Sequence, residues 1–151
     1  MEEPSGTDPQ ATSVRLRGSV HHVDLTVRDM AASTAFYAPL LEFLGYTCVR
    51  HEPALRVWDL VRNGEIVGGI ALRAARSDRP HDRYSAGLHH LAFHAADRSD
   101  VDRAHAMMTR KGATILDAPA DYPQYGAGYY ALFLADPDGL KLEVVHFIGR
   151  G

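Results

Sequence analysis

The chain has 151 residues, 46% of them hydrophobic and 23% charged, which suits one compact domain with a buried core and is too short for two that fold separately. Lys and Arg number 16 against 19 Asp and Glu, a formal charge of −3 with no basic cluster, which argues against a phosphate-tracking surface and hence against nucleic acid as a partner. The single cysteine, Cys48, can form no internal disulfide and cannot alone hold a structural zinc, and no run is long and apolar enough to span a membrane, so a cytoplasmic protein that does not engage membrane is expected.

Residues 1–18, acidic and rich in Pro, Gly, Ser and Thr, read as a flexible leader to a single domain over 19–151. The stretch SVHHVDLTVRD at 19–29 alternates like a half-buried strand, with Val23, Leu25 and Val27 on one face and His22, Asp24 and Thr26 on the other. Asp29 caps a helix through MAASTAFYAPLLEFLG, in which Ala32, Phe36, Leu40 and Phe43 or Leu44 recur at helical spacing and Gly45 is the stop. Pro39 inside that run predicts a kink or an early end. The strands YTCVRH, LRVWDLVRNG and EIVGGIALRA follow, the last two joined through an Asn63-Gly64 turn, and complete a first module over 19–74.

A loop over 75–86, rich in Arg, Asp, Pro and Ser, leads to a second module over 87–148. Here LHHLAFHAAD matches VHHVDLTVRD position for position: His90 lies 68 residues after His22, and Asp97 lies 68 after Asp29. RSDVDRAHAMMTRKG is the second helix, Gly112 falls near the place of Gly45, and ATILDAP, YYALFLAD and GLKLEVVHF are the returning strands, with DPDG at 136–139 in the place of RNG. The repeating unit cannot bury its sheet face alone, so the two copies are expected to pack together.

Side-by-side modules of this kind would bring His22 and His90 toward one another across a pseudo-twofold axis. The last strand turns Lys141, Glu143 and Val145 to the same side, and a glutamate in so apolar a strand is costly to bury unless it is paired or binds a metal. His22, His90 and Glu143 thus make a two-histidine, one-carboxylate set, which leaves about three positions open on an octahedral divalent ion. Counted from the two turns, Gly68 is the first module's counterpart of Glu143, so a fourth protein ligand is missing there.

These residues resemble the vicinal oxygen chelate superfamily, which includes glyoxalases, bleomycin-resistance proteins, fosfomycin-modifying enzymes and type I extradiol dioxygenases. The resemblance covers residues 20–148 and rests on HHVDLTVRDMAASTAFYAPLLEFLGY, LHHLAFHAAD and YYALFLADPDGLKLEVV. It implies an α+β fold in which two βαβββ modules in pseudo-twofold arrangement form an open, cup-shaped mixed sheet. It also implies a homodimer and one divalent metal ion (Fe, Mn, Ni or Zn) on His22, His90 and Glu143. Glyoxalase-type members add a ligand at the place where this chain has glycine.

Around that set, His94 shares the predicted face of His90 and is a candidate pocket acid or base, with a strand-end polar role as the alternative. Tyr125, Tyr129 and Tyr130 are candidates to line the pocket, Tyr129 as a catalytic group, or else are ordinary strand aromatics. Arg56 and Trp58 alternate together and offer the substrate a cation and a flat wall, unless they face solvent or a dimer partner. His21 and His89 alternate to the helix side, which gives them packing or surface roles. The expected function is a metal-dependent dioxygenase, lyase or isomerase, or epoxide-opening transferase that chelates a small substrate through vicinal oxygens. The alternative is a non-catalytic protein that binds an antibiotic or aromatic ligand, as bleomycin-resistance proteins do.

Overall fold

The computed structural model of the protein describes residues 16–149. The expected leader over 1–18 falls outside the described residues as far as residue 15. The elements run β1 (Val23–Val27), α1 (Met30–Phe43), β2 (Thr47–Glu52), β3 (Leu55–Arg62), β4 (Glu65–Ala74), β5 (His90–His94), α2 (Arg98–Arg110), β6 (Thr114–Asp121), β7 (Tyr130–Ala135) and β8 (Lys141–His146). They form two four-stranded mixed sheets, ordered β1-β4-β3-β2 and β5-β8-β7-β6, each with its helix. The α+β class and the two βαβββ modules are therefore as the sequence predicts.

Local chemistry explains the boundaries. Both helices start at an aspartate whose carboxylate accepts a backbone N–H in the first turn: Ala32 to Asp29 at 2.9 Å and Asp100 to Asp97 at 2.8 Å. Each helix crosses over to allow a parallel pairing, β1 with β4 and β5 with β8, while hairpins join the remaining strands. Asn63 and Gly64 both sit at positive φ, 50° and 77°, as a two-residue hairpin requires. Helix α1 does not end at Pro39 but continues to Phe43, because Leu40 and Leu41, fully buried on the far side of the proline, anchor its last turn by packing.

The helix-side faces of both modules merge into a single core. Leu25, Val27 and Leu72 of the first sheet share one cluster with Phe93, Leu142 and Val144 of the second, filled in by Tyr37 and Leu41 of α1 and by Val101 and Met108 of α2. Tyr46 and Phe93 meet edge to face across the modules, with ring centres 6.3 Å apart. Two polar ties reinforce the join. The buried Tyr37 hydroxyl donates to Asp136 Oδ2 at 2.7 Å, while Asp136 Oδ1 accepts from the backbone N–H groups of Asp138 and Leu140. Arg28 Nε donates to Asp138 Oδ1, also at 2.7 Å.

Because Asp136 is itself 6% exposed, removing its hydroxyl partner strips a donor from a buried carboxylate. Tyr37→Phe is predicted to lower stability by about 1.5–3 kcal/mol in urea denaturation; an unchanged midpoint would show that the bond does not hold the modules together.

Candidate functional site

With the helix-side faces buried together, the opposite faces of the two sheets carry the candidate ligands. On the second sheet, β5 and β8 run parallel with His90 opposite Lys141 and Ala92 opposite Glu143, which sets Glu143 diagonally from His90 on one face. Their side chains meet, His90 Nε2 lying 3.4 Å from Glu143 Oε2. Glu143 is 2% exposed, and its other oxygen, Oε1, accepts a short hydrogen bond from the Tyr129 hydroxyl. Loss of solvent, and then the adjoining carboxylate, push the Tyr129 hydroxyl above its ordinary pKa, so it remains a donor to Glu143.

These groups open onto a cavity of about 310 Å³ whose walls include Tyr125, Phe133, Lys141 and Phe147. Tyr129 packs against both Tyr125 and Phe147, with centroids 5.3 and 5.1 Å away. The Lys141 ammonium lies 4.3 Å from the centre of the Phe133 ring. Gly126 makes this wall possible, since a Cβ there would stand 2.6 Å from the Phe147 ring.

His22 stands immediately before β1 on the first module and lines a separate cavity of about 240 Å³ with His21, Asp24, Asp59 and Arg73. Its Nε2 is 4.0 Å from Asp24 Oδ1, and Asp24 Oδ2 accepts from Arg73 Nε at 2.5 Å. Gly69 lies beside the base of the His22 side chain, where a Cβ would come within 3.2 Å of that of His22. The His22 and His90 cavities have no lining residue in common, and among the described residues no three His, Cys, Asp or Glu side chains gather in one place. One chain therefore brings together His90 and Glu143, an imidazole and a buried carboxylate fit for a divalent ion, and holds His22 apart from them.

Several residues lie elsewhere than the sequence suggested. Trp58 is 1% exposed in the shared core, and Arg56, two residues before it on β3, points to that same helix side; Leu55 and Val57 line the His22 cavity instead. Tyr130 also turns to the helix side, donating to Asp102 of α2 at 2.6 Å beneath the Arg98 guanidinium, so it does not line the His90 cavity. Tyr125 and Tyr129 do. His94, exposed at the end of β5, is not among that cavity's walls. The first module's counterpart of Glu143 is Ala71 rather than Gly68, since Asp24 pairs with Ala71 as Ala92 pairs with Glu143. A register shift between Leu60 and Val61 and the greater length of β4 displace the count made from the turns. No carboxylate stands at either position.

Phe133 and Phe147, which sequence reasoning passed over, line the His90 cavity beside Lys141, which it had turned to the side of Glu143; His21 and His89, expected on the helix side, line one cavity each. The doubled His-His pair was the one available signal for those two histidines.

Residues 19–144 match the family model described as Glyoxalase/Bleomycin resistance protein/Dioxygenase superfamily. The chain is 32% identical over 126 residues to YqjT of Bacillus subtilis, covering 83% of this chain and 97% of that protein, and 34% identical over 130 residues to YaeR of Escherichia coli, covering 83% and 93%. Among solved structures it resembles lactoylglutathione lyase from Agrobacterium tumefaciens in fold, with a TM-score of 0.59 at 21% identity over 85% of this chain and 93% of that one. The doubled βαβββ unit, with its histidine-led strands and buried terminal-strand glutamate, belongs to the glyoxalase/bleomycin resistance protein/dioxygenase superfamily.

Proposed function

We propose that the protein is a divalent-metal-dependent enzyme that works as a homodimer, its metal held by His90 and Glu143 of one subunit and the partner subunit's His22. The substrate is a small, oxygen-rich molecule chelated through two neighbouring oxygens. The observation that carries this reading is Glu143, a carboxylate 2% exposed whose two oxygens face Tyr129 and His90 Nε2. A lone carboxylate is taken out of water at high cost unless a cation or donors meet it.

The packing within one chain supports the dimer. The shared core uses up the helix-side faces, so within one chain the two histidine-bearing faces cannot be turned toward each other. β1 and β5 are outer strands of their sheets, leaving each module an edge for a second copy.

A bound divalent ion would supply Lewis acidity toward chelated oxygens, with redox chemistry as well if it is iron or manganese. The chain's own groups do the rest. Tyr129 keeps its proton and fixes the Glu143 carboxylate in one orientation, Lys141 adds a positive charge beside the two donors, and the Tyr125–Tyr129–Phe147 wall keeps water from one side. That aromatic wall also favours the rival reading, a binder of aromatic ligands without turnover; ligand affinity that survives chelation and His90→Ala would support the binder.

Protein purified without chelator is expected to carry about one Fe, Mn, Ni or Zn ion per chain by elemental analysis. Glu143→Gln and His22→Ala should each abolish uptake. Tyr129→Phe should weaken it roughly 10–100-fold, as loss of an orienting partner does. Wild-type protein that takes up none of these ions at neutral pH would refute the metal reading.

A further inference from the structure

The cavity beside His90 holds a cation that no carboxylate among the described residues pairs with. Lys141 opens β8 directly opposite His90 in the parallel β5–β8 pairing, and the strand's alternation puts it on the same face as Glu143, two residues on. It is half-buried, and its ammonium is held 4.3 Å from the centre of the Phe133 ring. The ring attracts the charge through its π face and leaves the three N–H donors free for an oxygen acceptor. The other cations near the candidate ligands are already paired: Arg50 and Arg73, which line the His22 cavity, lie 2.5 Å from Glu52 and from Asp24.

For metal binding alone that placement is unfavourable. A positive charge on the face assigned to a divalent ion repels the ion, and Glu143 does not need the ammonium as a counter-ion, since its two oxygens face Tyr129 and His90. An anion entering the cavity changes the balance, because the ammonium and the metal then attract it together. The walls select the kind of anion. Lys141 is the one Lys or Arg lining this cavity of about 310 Å³, and Tyr125, Tyr129, Phe133 and Phe147 supply most of the rest. A phosphate is met as a rule by several N–H donors from arginines or a helix N-terminus. One ammonium among aromatic rings suits a single carboxylate on a compact organic body.

We propose that Lys141 is a specificity-determining residue that binds a carboxylate of the substrate, so that the substrate is a small organic acid whose two chelating oxygens are separate from that carboxylate. This assignment rests on the metal-site reading above and deepens it. The Lys141 ammonium donates to the carboxylate, the Phe133 ring steadies the lysine, and the Tyr125–Tyr129–Phe147 wall covers the apolar part of the acid.

The test compares two acids of different reach, protocatechuate and caffeate, each with its own methyl ester. Acid and ester present the same catechol oxygens to a metal, and only the acid presents a carboxylate. Calorimetry on protein loaded with Zn(II) should show wild type binding at least one acid roughly 10–100-fold more tightly than its ester, the range of a hydrogen bond between two charged groups. Lys141→Met keeps the stem over Phe133 without the charge. It should erase the preference, bind the ester as wild type does and hold Zn(II) at least as tightly, while Lys141→Arg should retain most of the preference. If wild type prefers neither acid, or Lys141→Met keeps the preference, the assignment is overturned and the metal site stands. Weaker Zn(II) binding by Lys141→Met would also overturn it, since the lysine would then help to build the metal site. If wild type takes up no Zn(II) but still prefers the acid in a Lys141-dependent way, the metal reading falls and the carboxylate anchor remains; with neither uptake nor preference, both fall.

Discussion

A single carboxylate constrains the rest of this molecule. Glu143 sits in the middle of β8 between buried aliphatic neighbours, where its charge has almost no contact with solvent. Such a group is tolerated only where its oxygens are met, and β5 and the segment before β7 deliver His90 and Tyr129 to them. The parallel β5–β8 pairing, the aromatic wall and the glycine under Phe147 all serve to place those partners. Tyr129 and His90 meet the two oxygens, and a cation there would offset more of the cost of burying the charge, which is the physical reason behind the proposed metal site.

The second constraint is the use of the hydrophobic faces. Each module has one sheet face covered by its helix, and the chain joins both helix-side faces in a common core closed by Tyr37–Asp136 and Arg28–Asp138. That gives a chain of this length a core larger than either module could build alone. It also leaves the two histidine-bearing faces looking onto separate cavities. Stability within the chain and a complete site within the chain are in conflict, and the proposed symmetric pair of chains would resolve it.

Much of the fold was legible because its signals are local. Asp29 and Asp97 as caps, Asn63-Gly64 as a hairpin and the period-two strands around His22 and His90 each follow from a few adjacent residues. The facing of β3 was not, because Arg56 and Trp58 alternate with Leu55 and Val57 and both faces read as plausible; only the packing of Trp58 into the core decides it. The counterpart of Glu143 was misplaced by counting from the turns, since an extra residue in β4, opposite the step from Leu60 to Val61, shifts the register without leaving a mark in the sequence. Tyr129 and Tyr130 could not be told apart by type, and the strand's pleat sends one to Glu143 and the other to Asp102. The placement of His22 away from His90 depends on how the modules pack, which no local pattern carries.

The most direct measurement is subunit mixing. His22→Ala and His90→Ala proteins, each unable to bind metal alone, are unfolded, combined in equal amounts and refolded together, and bound metal is counted. If each site takes His22 from one chain and His90 with Glu143 from the other, half of the dimers are mixed and each mixed dimer has one intact site, so metal returns to about a quarter of the wild-type level. If each site is built within a single chain, every site in the mixture lacks a ligand, and metal content stays at the level of the separate variants.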